Sequence, residues 1–241
     1  MGIKVIQDII DKIRCKEQRN KKRKQKSDAK KLNEILKNNT VIKLNLGCGP
    51  DIKQGWINID NDYYHQGLKS LDFDWDLLQP IPFPDKSVDY IFNEHFIEHF
   101  TYQEGLKILE NCARILKDTG VIRIATPDLA ECVRYYVQEN WREPLDILIK
   151  EHEERNNPEA LEWSKNYALK IKTRGHLINN AFREEDGSHK WLYDFEEITR
   201  LANDAGFTKV RRCENSKSSY PELCNIENHK YISTLVVEIE K

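Results

Sequence analysis

Residues 42–60, IKLNLGCGPDIKQGWINID, constrain this chain most: an apolar run passes into a glycine turn and is followed, one short apolar run later, by an acid. The run around Leu44 and Leu46 suits a central parallel strand covered on both faces. Gly47 and Gly49 permit backbone geometry and a close ligand approach that a Cβ would hinder. Asp60 then ends the next strand, WINI. Strand, glycine turn, strand and acid outline a nucleotide-type pocket.

Spacing distinguishes two kinds of such pocket. A dinucleotide fingerprint has a third glycine three residues after the second and an acid about 20 residues on. Here position 52 is Ile52 and the acid stands 13 residues after Gly47. The shorter pattern resembles class I S-adenosylmethionine (SAM) methyltransferases, whose first motif is an apolar strand with a G-x-G turn and whose second strand ends in an acid. The resemblance continues through DFDWDLLQPIPFPDKSVDYIFNEHFIEHF at 72–100, RILKDTGVIRIATPD at 114–128, YDFEEITRLANDAGFTKV at 193–210 and STLVVEIE at 233–240. These follow the family's order of motifs.

The resemblance implies an α/β fold. Its sheet is Rossmann-like, seven-stranded and mostly parallel with an antiparallel last strand, has helices on both faces, and here carries a helical insertion after strand five. Periodicity and turn signals place strands near 42–46, 56–59, 70–73, 88–92, 121–126, 207–213 and 232–240, and helices near 102–117 and 195–205. Thr101 followed by Glu104 reads as a capping box, and Asp118-Thr119-Gly120 as the stop of that helix. Residues 128–190 are too long for a bare loop and read as a helical cap, with breaks at Pro144 and Pro158. Its tryptophans, Trp141 and Trp163, and Trp191 just after it, suit either a small core or stacking on flat groups.

The resemblance also assigns a cofactor pocket for SAM. Gly47, Cys48 and Gly49 would contact the methionine end through backbone, and Asp60 the ribose hydroxyls, since a carboxylate can accept two donors. Asp76 with Leu77 best matches the adenine-binding pair, with Asp74 as the competing acid. Asn93 and Glu94 would approach the sulfonium.

His95, Glu98 and His99 form a second cluster. H-x-x-E-H matches a zinc-peptidase signature in letters, but that motif needs a long helix and a distant third ligand. An E-x-x-E-H version occurs in some metal-assisted methyltransferases; here His95 replaces its first glutamate, so no metal is expected. Methyl transfer to oxygen needs alignment and a base titrating near neutrality, which suits histidine. His99 is the first candidate and His189, in SHKWLYD, the second. His152, His176 and His229 read as packing or surface residues, and Asp128 as a helix cap.

The rest of the composition sets the context. A chain of 241 residues can bury one α/β core with an insertion. Six cysteines without C-x-x-C or zinc spacing read as reduced thiols of a cytoplasmic protein. The first 40 residues hold 13 Lys or Arg against 5 Asp or Glu, a balance of +8 that leaves −10 for the remainder. That separates a basic arm, 1–40, from a methyltransferase domain, 41–241. Ile6, Ile9, Ile10 and Ile13 share one helical face of the arm, followed by RNKKRKQK. Such an arm could meet an anionic membrane surface, making the protein peripheral to the membrane, or a partner subunit. Nucleic acid is disfavoured because the catalytic domain has no positive excess.

NEHF after strand four lacks the aromatic-proline-proline pattern of enzymes that methylate DNA amino groups. G-C-G, E-H-x-x-E-H and H-K-W-L-Y-D together resemble small methyltransferases associated with bacterial surface polysaccharides. The expectation is O-methylation of a sugar, glycan precursor or related small metabolite. The alternatives are an RNA or protein methyltransferase using the arm, and a SAM-binding module without catalysis.

Overall fold

The computed structural model describes residues 23–24, 26–61, 71–183, 187–228 and 234–241, and divides into two units, Met1–Ile42 and Lys43–Lys241. In the first, helix α1 runs over 26–38 and is largely exposed. The isoleucine face and most of the basic run expected in the arm lie outside the described residues. Among those described, no helix is long and apolar enough to cross a membrane.

In the second unit, β1 (Lys43–Leu46), β2 (Ile57–Asp60), β3 (Phe73–Asp74), β4 (Val88–Glu94), β5 (Leu116–Pro127), β6 (Lys209–Cys213) and β7 (Thr234–Glu240) form one sheet. Its order is β3-β2-β1-β4-β5-β7-β6. The ladders from β3 to β5 are parallel, and β7 runs antiparallel to β5 and β6. This is the Rossmann-like sheet with a reversed last strand that the motif order implies. The chain leaves β1 for β2 and β3 on one side, then crosses to β4 on the other. The crevice outside the carboxyl ends of β1 and β4 is therefore the switch point where open α/β sheets bind ligands.

The core is made by the strands' apolar residues. Leu44, Leu46, Ile59, Ile91, Phe92, Val121, Ile122 and Val237 are all fully buried. Helices α2 (Tyr102–Ile115) and α7 (Phe195–Asp204) accompany them. The capping box of α2 is present in full, with Thr101 accepting from Glu104 N and the Glu104 carboxylate accepting from Thr101 N at 2.9 Å. Trp56, Phe92, Val121 and Leu223 form a further cluster joined by Tyr90, Tyr220 and Ile226. Buried Arg123 anchors that segment by pairing with Glu227 and Glu238.

Asp118-Thr119-Gly120 does not stop α2. The helix ends at Ile115, and Leu116 is already extended (φ −70°, ψ 135°) and paired with Val88. Leu116 is fully buried, so tertiary packing pulls it into the sheet before the local turn signal acts. Gly120 serves close approach instead, since a Cβ there would lie 2.9 Å from Asp89 O.

The cap is helical: α3 (Leu129–Val137), α4 (Glu143–Glu154), α5 (Pro158–Lys170) and α6 (Arg174–Arg183). Pro144 and Pro158 start helices rather than break them, because a first-turn N–H has no intrahelical acceptor to lose. Tyr135, Leu145, Ala168, Ile171 and Leu177 give the cap its own core, against which Trp141 packs. His152 is buried beside Trp163 and His176 is exposed. His229 lies outside the described residues. Asp128 caps α3 by accepting from Ala130 N and pairs with Arg212.

Candidate active site

The glycine turn, Asp60, Asn93 and Glu94 stand at or just past the carboxyl ends of β1, β2 and β4. Gly47 (φ +64°) and Gly49 (φ +49°) take left-handed backbone directly after β1. A Cβ on Gly47 would lie 2.6 Å from Phe96 Cε2 and closer still to Cδ2 and Cγ, so the Phe96 ring rests on the bare glycine. Asp60 closes the turn from below, its Oδ2 accepting from Gly49 N at 2.6 Å and its Oδ1 from Asn61 N at 2.6 Å. Two buried asparagines that interrupt apolar strands shape the rest of the loop. Asn45 Nδ2 donates to Asp51 O (2.9 Å) and to Asn58 Oδ1 (3.0 Å), which also accepts from Lys53 N (2.9 Å). Burial first, then the Asp60 charge, pushes the Cys48 thiol up to about 12.

Asp74 is the register neighbour of Asp60 across the β2–β3 ladder. Asp76 stands outside this grouping. It is exposed and caps its own turn, accepting from Leu78 N (3.0 Å) and Gln79 Nε2 (3.2 Å). Leu77 beside it is buried. At the end of β4, Asn93 is buried and its Oδ1 has no hydrogen-bond partner among the described residues. Glu94 Oε2 accepts from Asn228 N at 3.0 Å, which ties the segment before β7 to this edge.

Beyond β4 the backbone turns sharply. His95 adopts φ +48°, rare for a residue with a Cβ, while its N–H still donates to Ala125 O at 2.9 Å. The turn feeds a single 3-10 turn, Ile97–His99, that buries Glu98 completely. Glu98 Oε1 lies 3.1 Å from His95 Nδ1 and its Oε2 accepts from Thr126 Oγ1 at 3.0 Å. Burial alone would raise the Glu98 carboxyl, but the His95 hydrogen bond and charge hold it below the usual range. Burial likewise opposes charging His95, and the contact with Glu98 outweighs it and raises that imidazole.

The returning cap is stitched onto the same carboxylate's backbone, with Lys190 N and Trp191 N donating to Glu98 O at 2.8 and 3.2 Å. This brings His189 against His99, with ring centroids 5.1 Å apart. The two histidines singled out in the sequence thus meet although 90 residues separate them. Phe96 and Thr126 were missed. Nothing in their local sequence marks them, whereas Asn45 and Asn58 carry a signal as polar residues at buried strand positions.

Residues 45–124 match a family model described as a methyltransferase domain. That stretch runs from β1 into β5 and includes the glycine turn, Asp60, Asn93 and Glu98-His99. Over these 80 of its 241 residues the chain is similar to methyltransferase domains. Among solved structures, a SAM-dependent methyltransferase from Archaeoglobus fulgidus is 17% identical, with 90% of this chain and 94% of that one covered and a TM-score of 0.45. A SAM-dependent methyltransferase from Thermotoga maritima, described as a possible histamine N-methyltransferase, is 16% identical, with 89% of each chain covered and a TM-score of 0.44. A putative O-methyltransferase from Nostoc punctiforme is 14% identical over 88% of this chain and 55% of that one, with a TM-score of 0.40. No curated protein matches the chain.

Proposed function

We propose that this chain is an O-methyltransferase whose acceptor is a sugar, glycan precursor or related small metabolite. The observation that carries the reading is the juxtaposition, at one sheet edge, of a glycine turn held by Asp60 with the Glu98, His99 and His189 cluster. The donor is cationic, and the edge that would receive it carries Asp60, Asp74, Glu94 and Glu98. Asn93 adds a buried acceptor atom that lacks a partner among the described residues.

Asp60 takes the ribose hydroxyls, the backbone of Gly47, Cys48 and Gly49 lines the methionine end, and Asn93 and Glu94 face the sulfonium. Asp76 with Leu77 is assigned to the adenine end, with Asp74, the register neighbour of Asp60, as the competing acid. When bound, SAM supplies an electrophilic methyl group with a neutral thioether as leaving group. The protein must therefore align the acceptor and ease loss of its proton. His99 and His189 are the catalytic groups assigned to that side. Trp191, 40% exposed, lines an open groove of about 670 Å³ with Asp194, Glu196, Arg200 and Asn203, and neither His99 nor His189 is among its lining.

The test is calorimetric titration with SAM and, in parallel, NAD, followed by transfer of labelled methyl from SAM to sugar nucleotides and glycans. Saturable binding of SAM alone, with label reaching a hydroxyl, is the expected result. A folded chain that binds no SAM refutes the reading.

A further inference from the structure

We propose that Glu98, His99 and His189 form a site for a divalent first-row transition ion, Zn²⁺, Mn²⁺ or Co²⁺ in chemistry, with an open position for the acceptor oxygen. The role of that open position rests on the methyltransferase reading above; the ion site itself rests on geometry. Each of the three residues offers one ligand-type atom, and these atoms lie within 4.8 Å of one another.

The surroundings prepare the ligands. Glu98 is fully buried and held by His95 Nδ1 at 3.1 Å and Thr126 Oγ1 at 3.0 Å, the kind of outer contact that orients a ligating carboxylate. His99 Nδ1 faces Ser188 O at 3.3 Å, and His189 Nδ1 faces Ala181 O at 2.9 Å. A carbonyl only accepts, so in each ring these contacts place the proton on Nδ1 and keep the lone pair on Nε2, the arrangement of metal-ligating histidines.

Two imidazoles and one carboxylate form the ligand set of a site with three protein ligands and one open position. The imidazoles favour a transition ion over Mg²⁺ or Ca²⁺, which prefer oxygen throughout. Nitrogen and oxygen ligands of one ion stand about 3–3.5 Å apart. Closure from the present spacing therefore needs a shift of roughly an ångström, available to the partly exposed rings of His99 and His189 about a fixed Glu98. The sequence pattern pointed away from metal because His95 replaces a glutamate; the fold supplies His189 instead. With such a cation bound, His99 and His189 would act on the acceptor proton through the ion, which lowers the cost of deprotonating a hydroxyl at its open position, rather than as free bases.

The whole chain, stripped with chelator and gel-filtered, is titrated with Co²⁺ while its visible ligand-field bands are followed, and with Zn²⁺ by calorimetry. One ion per chain is expected, with bands typical of nitrogen and oxygen ligands. His99→Ala and His189→Ala should each lower affinity by more than about 100-fold, and Thr126→Val by about 10–100-fold. His189→Ala, in the returning segment, keeps the test valid if His99→Ala misfolds by circular dichroism. No saturable uptake by the folded chain, or uptake unchanged by His189→Ala, overturns the proposal. SAM titration of the stripped chain separates the two readings. SAM binding without metal uptake sinks only the ion site, whereas no SAM binding sinks the methyltransferase reading whatever the metal does.

Discussion

Gly47→Ala tests the glycine turn directly. At φ +64° an alanine costs about 1–2 kcal/mol for left-handed backbone alone. The added Cβ would also meet three Phe96 ring atoms, the farthest at 2.6 Å. Phe96 has little room to retreat, being 8% exposed with its ring centroid 4.9 Å from that of Phe100. Overpacking of this kind costs about 1–3 kcal/mol. The sum, about 2–5 kcal/mol, is a large share of ordinary domain stability, about 5–15 kcal/mol. Urea unfolding should show a lower midpoint at unchanged slope, and SAM affinity should fall because the turn is displaced. Phe96→Ala removes every atom of the clash, so in that background the Gly47→Ala penalty should shrink to its backbone part of about 1–2 kcal/mol. Equal stability of Gly47→Ala and the parent chain, or an undiminished penalty in the double variant, would refute the reasoning.

Asp60→Ala should weaken SAM binding by about 1.5–3 kcal/mol, the scale of hydrogen bonds to a charged group. Because Asp60 also holds Gly49 N at 2.6 Å, it should cost some stability as well; an unchanged SAM affinity by calorimetry would refute the assigned pocket. Cys48, Cys112 and Cys132 have thiols pushed to about 12 by burial. Mass spectrometry after brief native alkylation at pH 8 should find them unmodified, while half-buried Cys224 reacts; equal labelling of Cys48 would show an open turn. Burial opposes ionising Glu238, but Ser218, Arg211 and Arg123 outweigh it and hold its carboxyl below the usual range. Its contribution is present above the unfolded value of about 4.3 and lost as pH falls through the lower folded one. Glu238→Gln should flatten that part of the acid-unfolding profile, and an unchanged slope would contradict the pairing.

Local chemistry explains what was legible from residues alone. The strands around Leu44, Ile59 and Ile91 are apolar runs of strand length, and the capping box at Thr101 satisfies its own N–H groups, so neither depends on distant contacts. The glycine turn and Asp60 were equally readable, because positive φ and a carboxylate at a strand end are properties of single positions. The end of α2 was not: Asp118-Thr119-Gly120 is a sound local stop, but burying Leu116 in the sheet prevails three residues earlier. Trp163, on α5, stays 51% exposed and Trp191, between α6 and α7, 40% exposed, where tryptophans would more often enter a core.

The sequence by itself thus determined the sheet's strands and the glycine turn with its strand-end acid, because each follows from periodicity and residue type within a short span. Only the tertiary structure decided that Phe96 rests on Gly47 and that His189 meets His99 over buried Glu98. Those contacts join residues far apart in the chain, and their geometry is set by how the cap returns to the Glu98 carbonyl through Lys190 and Trp191. No local pattern encodes such a return, since it is fixed by the packing of the whole unit.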